Sequence, residues 1–269
     1  MRSSPKALII TGFGLNCEDE TAYALQKVGA VTTSTHLNDL LKAPHLLKEY
    51  HILLFIGGFS FGDHIAAGRI FAARLRHALK EPLRAFIREG RLAMGICNGF
   101  QTMVKLGILP CLEGDLFEQE VSVVHNDSGV FRDDWVHLGV DPNSPCVFTR
   151  GIDRMELPVR HGEGKFVARD QKQLEAILQK GLAALRYLDP NTGEPTTLHP
   201  YNPNGSVEGI AGICSPSGRL LGLMPHPEAY HSPYNHPDWP SERRRDRLSR
   251  TGEGLRFFQN AVEFARREL

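Results

Sequence analysis

Leu92 to Leu106 reads LAMGICNGFQTMVKL, and this stretch decides the fold. Leu92 to Ile96 is a short apolar run of the kind that forms a strand buried on both faces, the habit of a central strand in a parallel sheet. Asn98 to Leu106 switches to helical spacing, with apolar residues at Phe100, Met103, Val104 and Leu106 and Gly107 as a C-cap. Between them lies Gly95-Ile96-Cys97-Asn98-Gly99, a G-x-C-x-G turn, the cysteine counterpart of the G-x-S-x-G nucleophile elbow. A cysteine there opens a helix, where the dipole and free N–H groups favour a thiolate and nucleophilic attack. Free cysteine is also a common small core residue, so the pentapeptide alone leaves both readings open.

Upstream, Lys6 to Thr11 reads as a strand that ends at Gly12 and Gly14. Asn16-Cys17-Glu18-Asp19-Glu20 reads as a helix start with an Asx cap and first-turn acids, and Gly29 stops that helix after Val28. Ala30 to His36 is a second strand and His51 to Ile56 a third, buried one, which meets the loop Gly57-Gly58-Phe59-Ser60-Phe61-Gly62-Asp63. A helix over about 67–80 follows, then a separate one from Pro82 to Glu89, with proline in its first turn and Gly90 as its stop.

Downstream of Pro110 the text turns β-rich, with strands expected at Glu120 to Val124, Trp135 to Val140, Leu157 to Val159 and Leu185 to Asp189. Ile210 to Cys214 and Arg219 to Met224 flank the turn Ser215-Pro216-Ser217-Gly218 and read as a hairpin. Pro225-His226-Pro227-Glu228 follows, then a polar, Pro- and Arg-rich stretch from Tyr230 to Thr251 and an amphipathic helix near 254–267. The expectation is an α/β fold with an open, mostly parallel sheet, helices on both faces and β-rich additions in the C-terminal half. Residues 1–269 read as a single domain with a surface insertion at about 230–251. Sites in such folds lie beyond the carboxyl ends of the strands, so the loops after Ile56, Ile96 and Met224 should converge.

Composition narrows the function. Thirty-one basic residues balance thirty-one acidic ones, so no global field favours nucleic acid or anionic lipid. No apolar run approaches the length of a membrane span, and Met1 to Lys6 does not lead into a signal-peptide pattern, which makes a cytoplasmic protein the expectation. Cysteines at 17, 97, 111, 146 and 214 are odd in number and scattered, with no C-x-x-C pair, which fits neither a disulfide framework nor a zinc site.

A thiolate attacking a carbonyl needs donors for the oxyanion. The Asn98 N–H, one residue after Cys97, is where an elbow places one, and the side-chain-free Gly57-Gly58 loop can supply the second through Gly58. His226 is the candidate base among twelve histidines, because it sits at a strand end in extended backbone, with Glu228 two residues on and pointing the same way to orient the imidazole. A tight turn and a solvated His–Glu pair are the plainer readings of the last two features taken singly. The three in this order argue against coincidence.

GGFSFGD, GICNGFQ and MPHPE together resemble the class I, or triad, glutamine amidotransferases, a flavodoxin-like family whose Cys-His-Glu site hydrolyses glutamine to release ammonia. Asn16-Cys17 with Glu20-Thr21, the heptad from Gly57 to Asp63, VRHGEG from Val159 and NPNGS from Asn202 are similar to the branch that serves phosphoribosylformylglycinamidine synthase in de novo purine synthesis. The resemblance spans nearly the whole chain. It implies a Cys97 nucleophile, a His226 acid and base oriented by Glu228, an oxyanion hole at Gly58 and Asn98, and a glutamine site at Gln101, His161 and Gly162. It further implies no cofactor and no metal in this chain. ATP and Mg would belong to a large synthase subunit as partner, and a small bridging subunit would be a second partner.

The branch often reads SGRFE where this chain has Ser128-Gly129-Val130-Phe131-Arg132, and HPER where Ala229 stands after Glu228. Other readings are a glutaminase for a different ammonia acceptor, against which HGEG and NPNGS speak, and a non-catalytic regulatory subunit, against which the filled triad positions speak. The run Arg243-Arg244-Arg245 with Arg247, balanced by Glu242 and Asp246, reads as a solvated face.

Overall fold

The computed structural model describes residues 4–269; the reading of the extreme N-terminus falls partly on residues 1–3, outside that range. The first half alternates strands and helices: β1 (Lys6–Thr11), α1 (Glu18–Lys27), β2 (Val31–His36), α2 (Leu37–Lys42), β3 (Ile52–Phe55), α3 (Arg69–Arg88), β4 (Leu92–Ile96) and α4 (Asn98–Leu106). Then come β5 (Val121–His125), β6 (Arg132–Val140), β7 (Arg154–His161), β8 (Glu163–Ala168), α5 (Gln171–Gln179), β9 (Leu185–Tyr187), β10 (Ile210–Cys214), β11 (Leu220–Leu223), α6 (Trp239–Arg244) and α7 (Leu255–Glu268). Among the described residues no helix is long and apolar enough to cross a membrane.

One nine-stranded sheet, in the order β2-β1-β3-β4-β11-β10-β9-β6-β7, organises the described residues, and β5 pairs with β8 outside it. Its β2-β1-β3-β4-β11 half is parallel, as the apolar runs require, and the β-rich text extends it through the antiparallel strands β10, β9, β6 and β7. Strands β3 and β4 are buried at every position. The hairpin β10–β11 sets β11 parallel beside β4, with Leu223 opposite Ile96, so the end of β11 lies next to the elbow.

Some elements differ from the sequence reading. Residues 69–88 form one helix with Pro82 inside it, because the buried stripe Phe71, Leu75, Leu79, Leu83, Phe86 runs past the proline without a break. That continuous burial outweighs the hydrogen bond a proline removes. The α1 N-cap is Cys17, which makes no side-chain cap bond; Asn16 accepts from the Cys17 thiol instead of capping. Strand β8 and helix α5 were not expected; Asp170 caps α5 by accepting from the Gln173 N–H. Glu228 lies in a 3-10 turn, Pro227–Ala229, and not in extended backbone.

The 230–251 stretch leaves and returns at one place, where the Gly254 N–H donates to the Tyr230 carbonyl. Tyr230 is buried against Trp135 and His236, whereas α6 buries none of its residues. Arg245 and Arg247 both pair with Glu242 on that exposed side.

The two elbow glycines serve close packing. Both have ordinary negative φ; a Cβ on Gly99 would run into the Phe55 carbonyl, and one on Gly95 into Met103 and Gly99. Replacing Gly99 by Ala should therefore lower stability by more than about 3 kcal/mol, the upper range for overpacking a dense core. Gly129→Ala, at a positive φ but with open space around it, should cost only about 1–2 kcal/mol. Urea unfolding of the two variants measures the difference, and equal costs would mean that α4 is not pressed against β3.

Candidate active site

The sharp turn of the elbow sits on Cys97 itself, at φ 51° and ψ −110°, a backbone region that side chains other than glycine rarely adopt. It is pinned on both sides. The Cys97 N–H donates to the Leu223 carbonyl, and its own carbonyl accepts from the Gln101 N–H at the start of α4. The first-turn N–H groups of Asn98, Gly99 and Phe100 have no carbonyl four residues back to bond within the helix. The Cys97 thiol, 5% exposed, lies 3.6 Å from the Arg160 carbonyl at the end of β7.

His226 follows β11 and is fixed by its N–H, which donates to the Pro158 carbonyl of β7. Its Nδ1 lies 2.6 Å from Glu228 Oε1, and both side chains are buried. Proline before and after the histidine constrains the backbone, and Pro227 sets the first position of the 3-10 turn that swings Glu228 under the ring. Burial alone would lower the proton affinity of His226. The Glu228 carboxylate, then Cys97, then contacts with the Cys17 and Cys97 thiols outweigh it and raise its pKa well above the ordinary value.

The Gly57-Gly58 loop closes over this pair. Gly58 has φ +133°, and a Cβ there would strike Gly14, Leu15 and Asn16, so only glycine fits between the two loops. The loop is zipped to the loop between β1 and α1 by the Asn16 N–H to the Gly57 carbonyl and the Phe59 N–H to the Gly14 carbonyl. Asn98 is fully buried and its Nδ2 donates to Asp63 and Gln101. Burial raises the Asp63 pKa, against the hydrogen bond from Asn98.

Of the sequence-derived glutamine residues, His161 and Gly162 lie on the facing wall and Gln101 on α4 itself. Gln101 is engaged at both ends of its amide, donating to the Glu163 carbonyl and accepting from Asn98, so it ties α4 to β8. His161 is buried, and burial first, then the charge of His226, pull its pKa down to about 3, which keeps the ring neutral. Its Nδ1 faces Asn126 Oδ1, which also accepts the Gly164 N–H, leaving Nε2 buried with no partner among the described residues. Gly162 is half-exposed beside Phe131. NPNGS braces this wall from behind: Ser206 accepts the Phe166 N–H and donates to Asn204, and Asn204 donates to the fully buried Tyr187 hydroxyl.

Three residues escaped the sequence reading. The Asn126 side chain, in the turn after β5, organises the His161 loop through three hydrogen bonds and donates a fourth to the Val130 carbonyl. Asp63 sits in the quoted heptad, but its partner Asn98 is not inferable from spacing. Cys17 has no chemistry in its local text, yet its sulfur packs with His226 against Gly57. Burial pushes its thiol up to about 11, against the lowering contact with His226.

Comparison with known proteins accords with this layout. Residues 4–265 match the CobB/CobQ-like glutamine amidotransferase domain. The chain is 43% identical over 264 residues to phosphoribosylformylglycinamidine synthase subunit PurQ of Dehalococcoides mccartyi, covering 98% of this chain and 99% of that one. It is 35% identical to part of the phosphoribosylformylglycinamidine synthase of Drosophila melanogaster, covering 85% of this chain and 17% of that longer one. Among solved structures, a chain of PurLQS from Thermotoga maritima superposes with a TM-score of 0.70 at 26% identity, covering 97% of this chain and 99% of that chain. With an elbow cysteine, a buried histidine–glutamate pair and full-length similarity of this order, the chain belongs to the glutamine amidotransferase family, among its PurQ members.

Proposed function

We propose that this chain hydrolyses glutamine and hands the ammonia to a synthase subunit that converts formylglycinamide ribonucleotide to the amidine in purine synthesis. One observation carries the reading: the elbow cysteine, the Gly58 loop and the His226–Glu228 pair meet at the carboxyl ends of β3, β4 and β11. In this reading Cys97 Sγ attacks the side-chain carbonyl carbon of glutamine after passing its proton to His226. The oxyanion sits on the Gly58 and Asn98 N–H groups. His226 then protonates the departing nitrogen, which leaves as ammonia, and the glutamyl thioester remains on Cys97. Next His226 takes a proton from water, the resulting hydroxide adds to the thioester, and glutamate departs as the thiol is restored. Glu228 holds the ring and its positive charge throughout.

Glutamine is held between Gly162 and the neutral His161, with Gln101 acting through the Glu163 backbone it fixes. None of these steps needs a cofactor; ATP and Mg belong to the synthase partner. Phe59 and Phe131, both about half exposed, face each other at 6.2 Å beside Gly58 and Gly162. Aromatic residues on such a rim suit the synthase surface that would cover it, and the relative from Thermotoga is a chain of a PurLQS assembly. A cytoplasmic setting agrees with that pathway.

Cys97→Ala in the complex should abolish amidine synthesis from glutamine and leave synthesis from added ammonia intact; equal loss of both would sink the division of labour. A diazo-ketone analogue of glutamine should label Cys97 alone by peptide mass mapping, although Cys17 touches the same imidazole. Both cysteines cap a helix, but burial holds the Cys17 thiol up to about 11, whereas Cys97 stands at the strained elbow; labelling of Cys17 would reverse the assignment. Glu228→Gln should lower turnover by about 10², less than the roughly 10⁴ of the matching change in a serine triad, because a thiol is the better unaided nucleophile. Inactivity equal to that of Cys97→Ala would give Glu228 a more direct part.

A further inference from the structure

Cys17 is a buried nucleophilic group that the proposed chemistry does not use. It comes from the N-terminal end of α1, more than 200 residues before His226 in the chain, and its sulfur still reaches the imidazole. Ligand atoms of Cys17, His226 and Glu228 all lie within 4.8 Å of one another. All three side chains are over nine-tenths buried, at 7%, 3% and 0% exposure. His226 Nε2 and Glu228 Oε2 are buried without a hydrogen-bond partner among the described residues, so the cluster holds donor capacity that the protein does not satisfy.

We propose that Cys17, His226 and Glu228 form a binding site for a thiophilic divalent cation of the zinc class, and that its occupation shuts off the imidazole. Sulfur, imidazole nitrogen and carboxylate oxygen are the donor types such a cation selects, at roughly 2.0–2.3 Å each. Donors already within 4.8 Å need small side-chain shifts to reach that geometry. As the metal–sulfur and metal–nitrogen bonds form, the Cys17 thiol and the His226 imidazolium each release a proton to solvent, and a water takes the fourth tetrahedral position. A histidine nitrogen and a glutamate oxygen committed to the cation cannot shuttle or support a proton, so glutamine turnover stops until the metal is removed. Cys97 is not a donor in this site, which distinguishes it from simple capture of the nucleophile.

Binding depends only on the three residues, and its consequence for turnover rests on the glutaminase reading, so the two are measured separately. The Cys97→Ser chain is titrated with Co²⁺, whose bond to a thiolate gives a charge-transfer absorption band. One equivalent should produce the band, and the Cys17→Ser/Cys97→Ser double variant should lose it. No band in the first variant, or an unchanged band in the second, overturns the site. In the complex with the synthase subunit, buffered Zn²⁺ should inhibit glutamine-dependent turnover reversibly by chelator. Cys17→Ser should raise the half-inhibiting concentration tenfold or more, each protein being compared with its own zinc-free rate. Equal sensitivity of the two proteins overturns the inhibitory role even where cobalt binds.

Discussion

The approach of α4 to the β3–β4 pair governs the rest of the structure. Gly99 lies so close to the Phe55 carbonyl that no side chain is admitted, and nearly every residue of α4 is buried. That contact fixes the first turn of the helix against the strand ends, and the strained backbone at Cys97 is its geometric consequence. A residue at φ 51° with a β-carbon persists only where its surroundings leave no alternative. Here they are the Leu223 carbonyl ahead of it and the Gln101 N–H behind it. The strain sets the thiol at the start of α4, beside the N–H groups of its first turn.

A second constraint is electrostatic. Glu228 is fully buried, and an unpaired carboxylate there would carry a large desolvation penalty. The 2.6 Å contact with His226 offsets it and ties the charge states of the two groups together. The same burial acts unopposed on His161, which has no carboxylate partner and stays neutral beside His226. Two imidazoles in one cleft are thereby driven apart in proton affinity, one suited to moving protons and the other to receiving hydrogen bonds.

The text of the chain carried the parallel half of the fold almost completely, because strands buried on both faces are written as unbroken apolar runs and Gly29, Gly90 and Gly107 stop helices where the text suggests. It failed where a local rule met a stronger tertiary one. Pro82 looked like a helix start because the proline rule is local, while the stripe from Phe71 to Phe86 that overrides it is collective. Helix α5 was missed since its buried set is only Gln173, Leu174 and Ile177, too short for periodicity to stand out. Glu228 was placed correctly beside His226 for the wrong backbone reason. Asn126 was invisible as part of the cleft, since it carries no motif, and Cys17 was read only in the Asn16-Cys17 branch motif with no role; each arrives at the cleft only through the sheet order.

That sheet order also explains how a site can be assembled from the two ends of the chain. A strand parallel to β4 and next to it requires a crossover, and here the crossover is long: β5 to β9 and the hairpin strand β10 all intervene before β11 arrives. The detour builds the antiparallel wall that carries Arg160, His161 and Gly162 and the NPNGS brace behind it. It then delivers His226 in register with the elbow, since Leu223 pairs with Ile96. At the opposite end of the same strand Arg219 donates to the Gly90 carbonyl, locking the turn before β4. With β11 held at both ends, a shift in its register would displace the imidazole from the thiol by a residue's rise, roughly 3.3 Å, enough to lose the contact. The antiparallel extension is therefore part of the cleft's geometry, setting the distance between the elbow cysteine and the imidazole.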